Sequence, residues 1–319
     1  MSFEYGYSYR PPGRPNNSKK ATIIIALLFL SLFVYGAISS RKFKPSDIIS
    51  PFAGSFNSSV NAVKKFINPA GIDKIFKESF AENPDSFSVY IKNLKTGEEY
   101  RKNETKTFKT ASLYKLWVMG EVYKQIESGK IKLDDQITED IQSLNQEFDI
   151  ATDEAELTDG VLELDAESAI KQMIVVSNNY AALALTKKIG LQSLEEFVQD
   201  EGFAGSSAKV PPSTTASDIA LFYEKLYKGK LVSKKADREM MDILKQQQLN
   251  DRLPKYLPQE TAVAHKTGEL DYYKHDAGVV FSPKGDYVIV VLSETQDPEQ
   301  ASEKIAQFSQ NIYQYFEDK

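Results

Sequence analysis

The chain of 319 residues has no cysteine and only two histidines, His265 and His275. The first absence excludes disulfides, thiolate nucleophiles, zinc–thiolate sites and cysteine lipidation. The second excludes a histidine-rich metal centre. From Leu133 to Ile170 there is no lysine or arginine, and every charged residue is an acid. That stretch reads as a solvated helical lobe, with a partner surface as the weaker reading. Basic excess is missing overall, because the net charge is −6. A nucleic-acid partner, which wants a basic face, is disfavoured. No internal repeat is visible. What is present is ordinary for a globular protein, with 41% hydrophobic and 26% charged residues. The length suffices for one sizeable domain or two small ones.

Charge is also absent from Ala21 to Ser40, and Thr22 to Ala37 are dominated by Ile, Leu, Phe and Val. A bilayer core needs ~20 helical residues, so 21–40 is expected to be a transmembrane anchor. The competing reading is a cleaved signal peptide. Its apolar core is shorter, ~7–15 residues, and ends at an Ala-x-Ala-like site, for which Tyr35-Gly36-Ala37 is a poor match. Residues 1–20, rich in Tyr, Pro, Gly, Asn and Arg, read as a disordered tail. Arg10, Arg14, Lys19 and Lys20 precede the span, and Arg41, Lys42 and Lys44 follow it. The balance leans towards a cytoplasmic N-terminus and an extracytoplasmic domain. Residues 41–70 form a polar linker, and the folded domain is expected over 71–319.

Within that domain, Ile72–Phe80 read as a helix, Ser86–Asn93 as a strand, Lys95-Thr96-Gly97 as a turn and Glu98–Lys102 as the paired strand. Helices are expected over Ser112–Ser128, Ala166–Val176, Tyr180–Ile189 and Thr215–Tyr227. Strands follow at Thr261–Lys266, Ala277–Ser282 and Tyr287–Ser293, and a helix over Gln300–Phe316 closes the chain. Strands, then helices, then strands and a helix predict an α+β fold whose antiparallel sheet is built from both ends of the domain.

Three short motifs carry the chemistry: Ser112-Leu-Tyr-Lys115, Ser177-Asn-Asn179 and Lys266-Thr-Gly268. Each is cheap. Ser-x-x-Lys also begins at Ser39, Ser168 and Ser206, Ser-x-Asn recurs four more times, and Lys-Thr-Gly recurs at Lys95. Context selects among them. Ser39 lies at the membrane edge, Ser168 inside a helix, Ser206 in a small-residue loop, and Lys95 in a hairpin turn. Ser112 stands where a helical apolar stripe begins (Leu113, Leu116, Trp117, Val122). A helix cap is its simplest role. The same place puts its oxygen in the positive field of a helix start, with Lys115 one turn on. Burial among apolar neighbours lowers a lysine pKa, so a neutral Lys115 can accept the Ser112 proton. Ser177 reads alternatively as a cap for the following helix, and Lys266 as a solvated strand lysine. Together, a serine, two lysines and a second serine can open an amide without metal, cofactor or histidine.

The trio and its order resemble the class A β-lactamase and penicillin-binding protein superfamily of active-site serine enzymes. The likeness runs from about Ser86 to the end. It includes Thr214-Thr-Ala-Ser-Asp-Ile-Ala220, His265-Lys-Thr-Gly-Glu-Leu270 and His275-Asp-Ala-Gly-Val279. The resemblance implies Ser112 as nucleophile, Lys115 as its base or proton relay, and Ser177 as proton donor to the leaving nitrogen. It implies that Asn179 holds the substrate's side-chain amide and supports Lys115. Lys266 and Thr267, in the Lys-Thr-Gly268 strand, would bind the substrate carboxylate. Backbone N–H groups of Ser112 and Glu269 would form an oxyanion hole. Implied functions are a membrane-anchored β-lactam hydrolase, a D-alanyl-D-alanine peptidase of peptidoglycan metabolism, or a penicillin sensor without turnover. One departure stands out. The Glu-x-x-Leu-Asn of the class A Ω loop, whose glutamate activates the deacylating water, has no counterpart between Glu201 and Thr214. Glu195, Glu196 and Glu201 nearby read as an exposed helix face. Asn178 also replaces the usual aspartate of Ser-Asp-Asn.

Overall fold

The computed structural model describes residues 68–319. The expected tail, membrane span and nearly all of the linker lie outside the described residues. Among the described residues no helix is long and apolar enough to cross a membrane.

One antiparallel sheet organises the domain. Its strands are β1 (Phe87–Asn93), β2 (Glu99–Lys102), β7 (Val263–Leu270), β8 (Tyr273–Val280) and β9 (Tyr287–Ser293), in the order β2-β1-β9-β8-β7. The first strand of the domain thus lies beside the last, with Phe87 opposite Ser293 and Asn93 opposite Tyr287. Strand β9 is buried at every position. Its alternate residues serve different cores, as a two-residue period requires. Tyr287, Ile289 and Val291 face α1 (Ala70–Ser79) and α9 (Pro298–Glu317), joining Ile72, Phe76, Ile305 and Phe308. Val288, Val290 and Leu292 join the core of the helical side. Helix α9 buries Ala301, Ile305, Phe308, Ile312 and Phe316, a stripe of threes and fours. Its start is fixed by Pro298 in the first turn and by Asp297, which accepts from the Gln300 N–H.

The helical side comprises α2 (Tyr114–Glu127), α3 (Ile141–Glu147), α4 (Ala166–Val175), α5 (Asn179–Ile189), α6 (Leu191–Asp200), α7 (Ala216–Tyr227) and α8 (Lys234–Leu244). The expected helices match within a few residues. The acid-only stretch is less helical than expected. Before α4 begins at Ala166 it holds one short helix, α3, and a two-stranded sheet of β4 (Gln136–Asp140) and β5 (Val161–Asp165). Two further strands, β3 (Phe108–Lys109) and β6 (Ser213–Thr214), pair the segment before Ser112 with the end of the 203–212 loop. Strand β7 runs on to Leu270, so Lys266-Thr-Gly268 lies inside the strand and not at its end. Lys95-Thr96-Gly97 is the expected turn. The Asn93 Oδ1 accepts from the N–H groups of Lys95 and Thr96, and Gly97 takes φ 75°.

Candidate active site

Caps determine which side chains are free to act. Ser112 caps nothing. It sits in a 3-10 turn, Ala111–Leu113, that leads into α2, and neither turn nor helix has a side-chain cap. Its hydroxyl makes no hydrogen bond to another described residue. At the second motif the cap is Asn178, whose Oδ1 accepts from the Ala181 N–H at 2.9 Å and whose Nδ2 donates to Gln172. Ser177 and Asn179 on either side are thereby released. Two non-glycine residues with positive φ mark the same places, Ala111 at 45° and Ser177 at 58°. Such conformations cost roughly 1–3 kcal/mol each and gather at functional sites.

The two lysines converge on Ser177. The Lys115 Nζ donates to the Ser177 carbonyl (2.6 Å) and the Asn179 Oδ1 (2.5 Å), and is hydrogen-bonded to the Ser177 Oγ at 3.1 Å. The Lys266 Nζ donates to the same Ser177 Oγ (3.0 Å) and to the Thr267 carbonyl (2.9 Å). As a neutral amine Lys115 has two N–H bonds, taken by the Ser177 carbonyl and the Asn179 Oδ1, so the Ser177 hydroxyl accepts from Lys266 and turns its own proton to Lys115. Both lysines are 0% exposed. Burial, and the charge of Lys266 beside it, hold Lys115 well below the ordinary lysine range. Burial brings Lys266 down to about 7, with Asp276 pulling the other way and Arg252 adding to the drop.

Ser112, Asn179 and Glu269 line one cavity of about 110 Å³. Lys115 and Lys266 lie outside its lining, and Asn179 touches both the cavity and the Lys115 amine. Lys115 turns its amine towards Ser177 and Asn179, and no hydrogen bond joins it to Ser112. Apo catalytic hydrogen bonds are often long and tighten only around substrate. Gly268 lets β7 pass close to the segment that carries Ser112. A Cβ there would lie 3.1 Å from the Thr110 carbonyl oxygen and 3.1 Å from the His275 ring.

Several contributors carry no sequence signal. Arg252, 2% exposed, donates to Glu269 at 2.7 Å and to the His275 carbonyl at 3.2 Å, bracing the end of β7. Lys274 pairs with the same Glu269. Glu156 accepts from the Asn179 Nδ2 at 3.2 Å. His275 accepts from the Ser293 N–H at Nδ1 (3.1 Å), so Nε2 carries the proton and donates to the Lys109 carbonyl (2.9 Å). Burial pushes its pKa down to about 4. It is a neutral strut for the strand before Ser112. Glu195 and Glu201 depart from the expected exposed face. Glu195 accepts from the Ala208 N–H at 2.7 Å and so pins the short loop, and Glu201 pairs with Lys225 at 2.6 Å. Among the described residues no cluster of His, Asp or Glu can hold a metal ion.

A sequence model of the beta-lactamase enzyme family matches residues 71–316. The chain belongs to that family. Its fold is shared with a β-lactamase from Sphaerobacter thermophilus (23% identity, TM-score 0.69, covering 79% of this chain and 99% of that one). It is shared also with PBP-A (22%, TM-score 0.68, 79% and 98%). A PBP-A variant in an acyl-enzyme complex with penicillin G aligns similarly (22%, TM-score 0.66, 78% and 97%). No curated protein matches the chain. The beta-lactamase fold accounts for the sheet built from both ends of the domain and for the helical lobe beside it.

Proposed function

We propose that this member of the beta-lactamase family is a membrane-anchored serine hydrolase that forms an acyl-enzyme on Ser112 with a β-lactam or related amide. The observation that carries it is the pair of buried amines meeting at one serine hydroxyl, beside a cavity that exposes a second serine. Lys115, kept neutral by burial, takes the Ser112 proton as Oγ attacks the carbonyl carbon. Negative charge on the carbonyl oxygen falls to the N–H groups of Ser112 and Glu269. As the C–N bond breaks, Ser177 gives its proton to the leaving nitrogen and is resupplied from Lys115. Asn179 holds the substrate's side-chain amide. Lys266 and Thr267 hold the substrate carboxylate. The apolar run 21–40 supplies the anchor, with the domain on the extracytoplasmic side.

A second reading, a D-alanyl-D-alanine peptidase acting on peptidoglycan peptides, has one observation in its favour. The 203–212 loop carries no glutamate to activate a deacylating water, so a β-lactam ester is expected to persist. A penicillin sensor would share that property. Incubation of the purified full-length chain with a fluorescent penicillin, alongside a chromogenic cephalosporin, separates these. Label that survives denaturation with slow turnover favours peptidase or sensor, and rapid turnover favours β-lactamase. Neither label nor turnover would refute the acyl-enzyme.

Acylation should also fall on the alkaline side of about pH 7. Lys266 can hold a carboxylate only as the ammonium, and its pKa in the free protein lies at about 7. Above that pH the cation is lost, and the second-order rate constant should drop by roughly tenfold per unit. Lys266→Arg, charged at all these pH values, should remove this limb. A flat profile between pH 6 and 9 in the wild type contradicts the assignment.

A further inference from the structure

A second cavity lies at the end of the sheet opposite Ser112. Glu269 and Leu270, where β7 ends, line the Ser112 cavity. The second cavity, of about 340 Å³, is lined by Phe281, whose N–H donates to the Ala262 carbonyl just before β7 begins. Seven strand steps separate the two ends, about 24 Å. Its volume is that of a small-molecule site. The walls are the C-terminus of α7 and one face of α8. Lys234, Arg238, Met241 and Lys245 follow one another at the three- and four-residue spacing of a single helical stripe.

Charge on that stripe is unbalanced. The cations Lys228, Lys234, Arg238 and Lys245 line the cavity, against the acids Asp237 and Asp242. Glu224 holds Lys228 at 2.8 Å, and Asp242 holds Lys245 at 3.1 Å. Asp237, 1% exposed, accepts from the Leu231 and Val232 N–H groups at 2.8 and 2.9 Å. Lys235, beside the cavity, pairs with Glu239 at 3.8 Å. Lys234 and Arg238 pair with no acid among the described residues. Like charges four residues apart on a helix repel, and Lys234 also meets the positive end of the helix. An anion between the two relieves both conflicts. Two unmatched cations suit a dianion, and the Arg238 fork can hold two oxygens of a phosphate at once.

The remaining surface is apolar. Leu226 and Met241 form part of it, together with the rings of Tyr227 and Phe281, whose centroids are 6.5 Å apart. Tyr227 is 39% exposed, and its hydroxyl donates to Asp286 at 2.8 Å, which fixes the ring. The Lys245 amine stands over Phe281, 4.6 Å from the ring centroid. A bare inorganic anion would leave these rings uncovered, whereas an organic group attached to the phosphate would cover them.

We propose that this cavity binds a phosphate ester, with the phosphate between Lys234 and Arg238 and the organic part against Tyr227 and Phe281. The site is separate from Ser112 and independent of the acyl-enzyme reading. A lipid headgroup and a soluble ester share this chemistry, and the test tells them apart.

Phenyl phosphate is the probe, titrated by calorimetry into the full-length chain in neutral detergent micelles. One saturable site per chain is expected. Inorganic phosphate should bind about tenfold more weakly, because it covers no apolar surface. Arg238→Gln should weaken phenyl phosphate by about tenfold or more through loss of the charged fork, while Lys235→Gln, at a paired lysine, should leave it unchanged. Both side chains are exposed, so thermal melts and penicillin labelling should stay at wild-type values. Should Arg238→Gln fail to fold, Tyr227→Ala must erase the preference for phenyl over inorganic phosphate. Displacement of the probe by phosphatidylglycerol mixed into the micelles makes the ligand a lipid headgroup. Displacement by glycerol 3-phosphate and not by the lipid makes it a soluble ester. No saturable binding, equal affinity for phenyl and inorganic phosphate, binding indifferent to Arg238→Gln, or displacement by neither competitor overturns the site.

Discussion

Ser112→Ala is expected to abolish covalent labelling by penicillin while leaving the fold intact. The two halves of that result have separate causes. The oxygen removed is the atom that would carry the acyl group, and Ser177, the other serine hydroxyl of the cluster, is bound to two amines. It also lies outside the lining of the cavity that exposes Ser112, where the substrate carbonyl would be held. Stability should change by no more than about 0.5 kcal/mol, as for substitutions that break no buried contact, because the Ser112 hydroxyl holds nothing in place and caps neither turn nor helix. Gel fluorescence after denaturation and a thermal melt read both quantities on one preparation. Label retained in the variant would move the nucleophile elsewhere, and a large loss of stability would mean that the hydroxyl has a structural partner.

Lys115→Met should slow labelling by about 10²–10⁴, the range for loss of a general base, again in a folded protein. Methionine fills similar space in the helix but cannot accept a proton. Two opposing terms govern stability. The Ser177 carbonyl and Asn179 Oδ1 lose their donor, which costs roughly 1–3 kcal/mol where no water replaces it. Against this, a fully buried amine is removed, and exchange of buried polar groups for apolar ones is often neutral or better. The net shift should be smaller than either. Time-resolved labelling and a melt check the pair. A rate within tenfold of wild type would show that another group takes the Ser112 proton, and collapse of the fold would show that the Lys115 bonds are structural first.

Much of the scaffold was legible because its signals are local. Helix α9 announces itself by a proline, a capping aspartate and a stripe of apolar residues. Strand β9 runs without a charge from Tyr287 to Leu292 and ends on Ser293. The elements used to set aside Ser168 and Lys95 are as expected, a helix and a turn. Less was readable where the cause is remote. Nothing near Ser177 in sequence says that its oxygen will meet a lysine 89 residues later. Arg252 finds Glu269 across a chain turn, and its burial is visible only once α9 covers it. The β4–β5 pair was missed because acids obscure the alternation of a short strand on a surface sheet.

The neighbouring of β1 and β9 bears on synthesis. Residues about 200 positions apart are opposite one another, so β1 has no inner neighbour until the last strand has left the ribosome. Strand β7, with Lys266, joins the sheet only through β8 and β9. Such distant pairing makes assembly slow and leaves strand edges open meanwhile. The cluster of Ser112, Lys115, Ser177 and Lys266 is therefore incomplete during translation and comes together only when the C-terminal strands close the sheet.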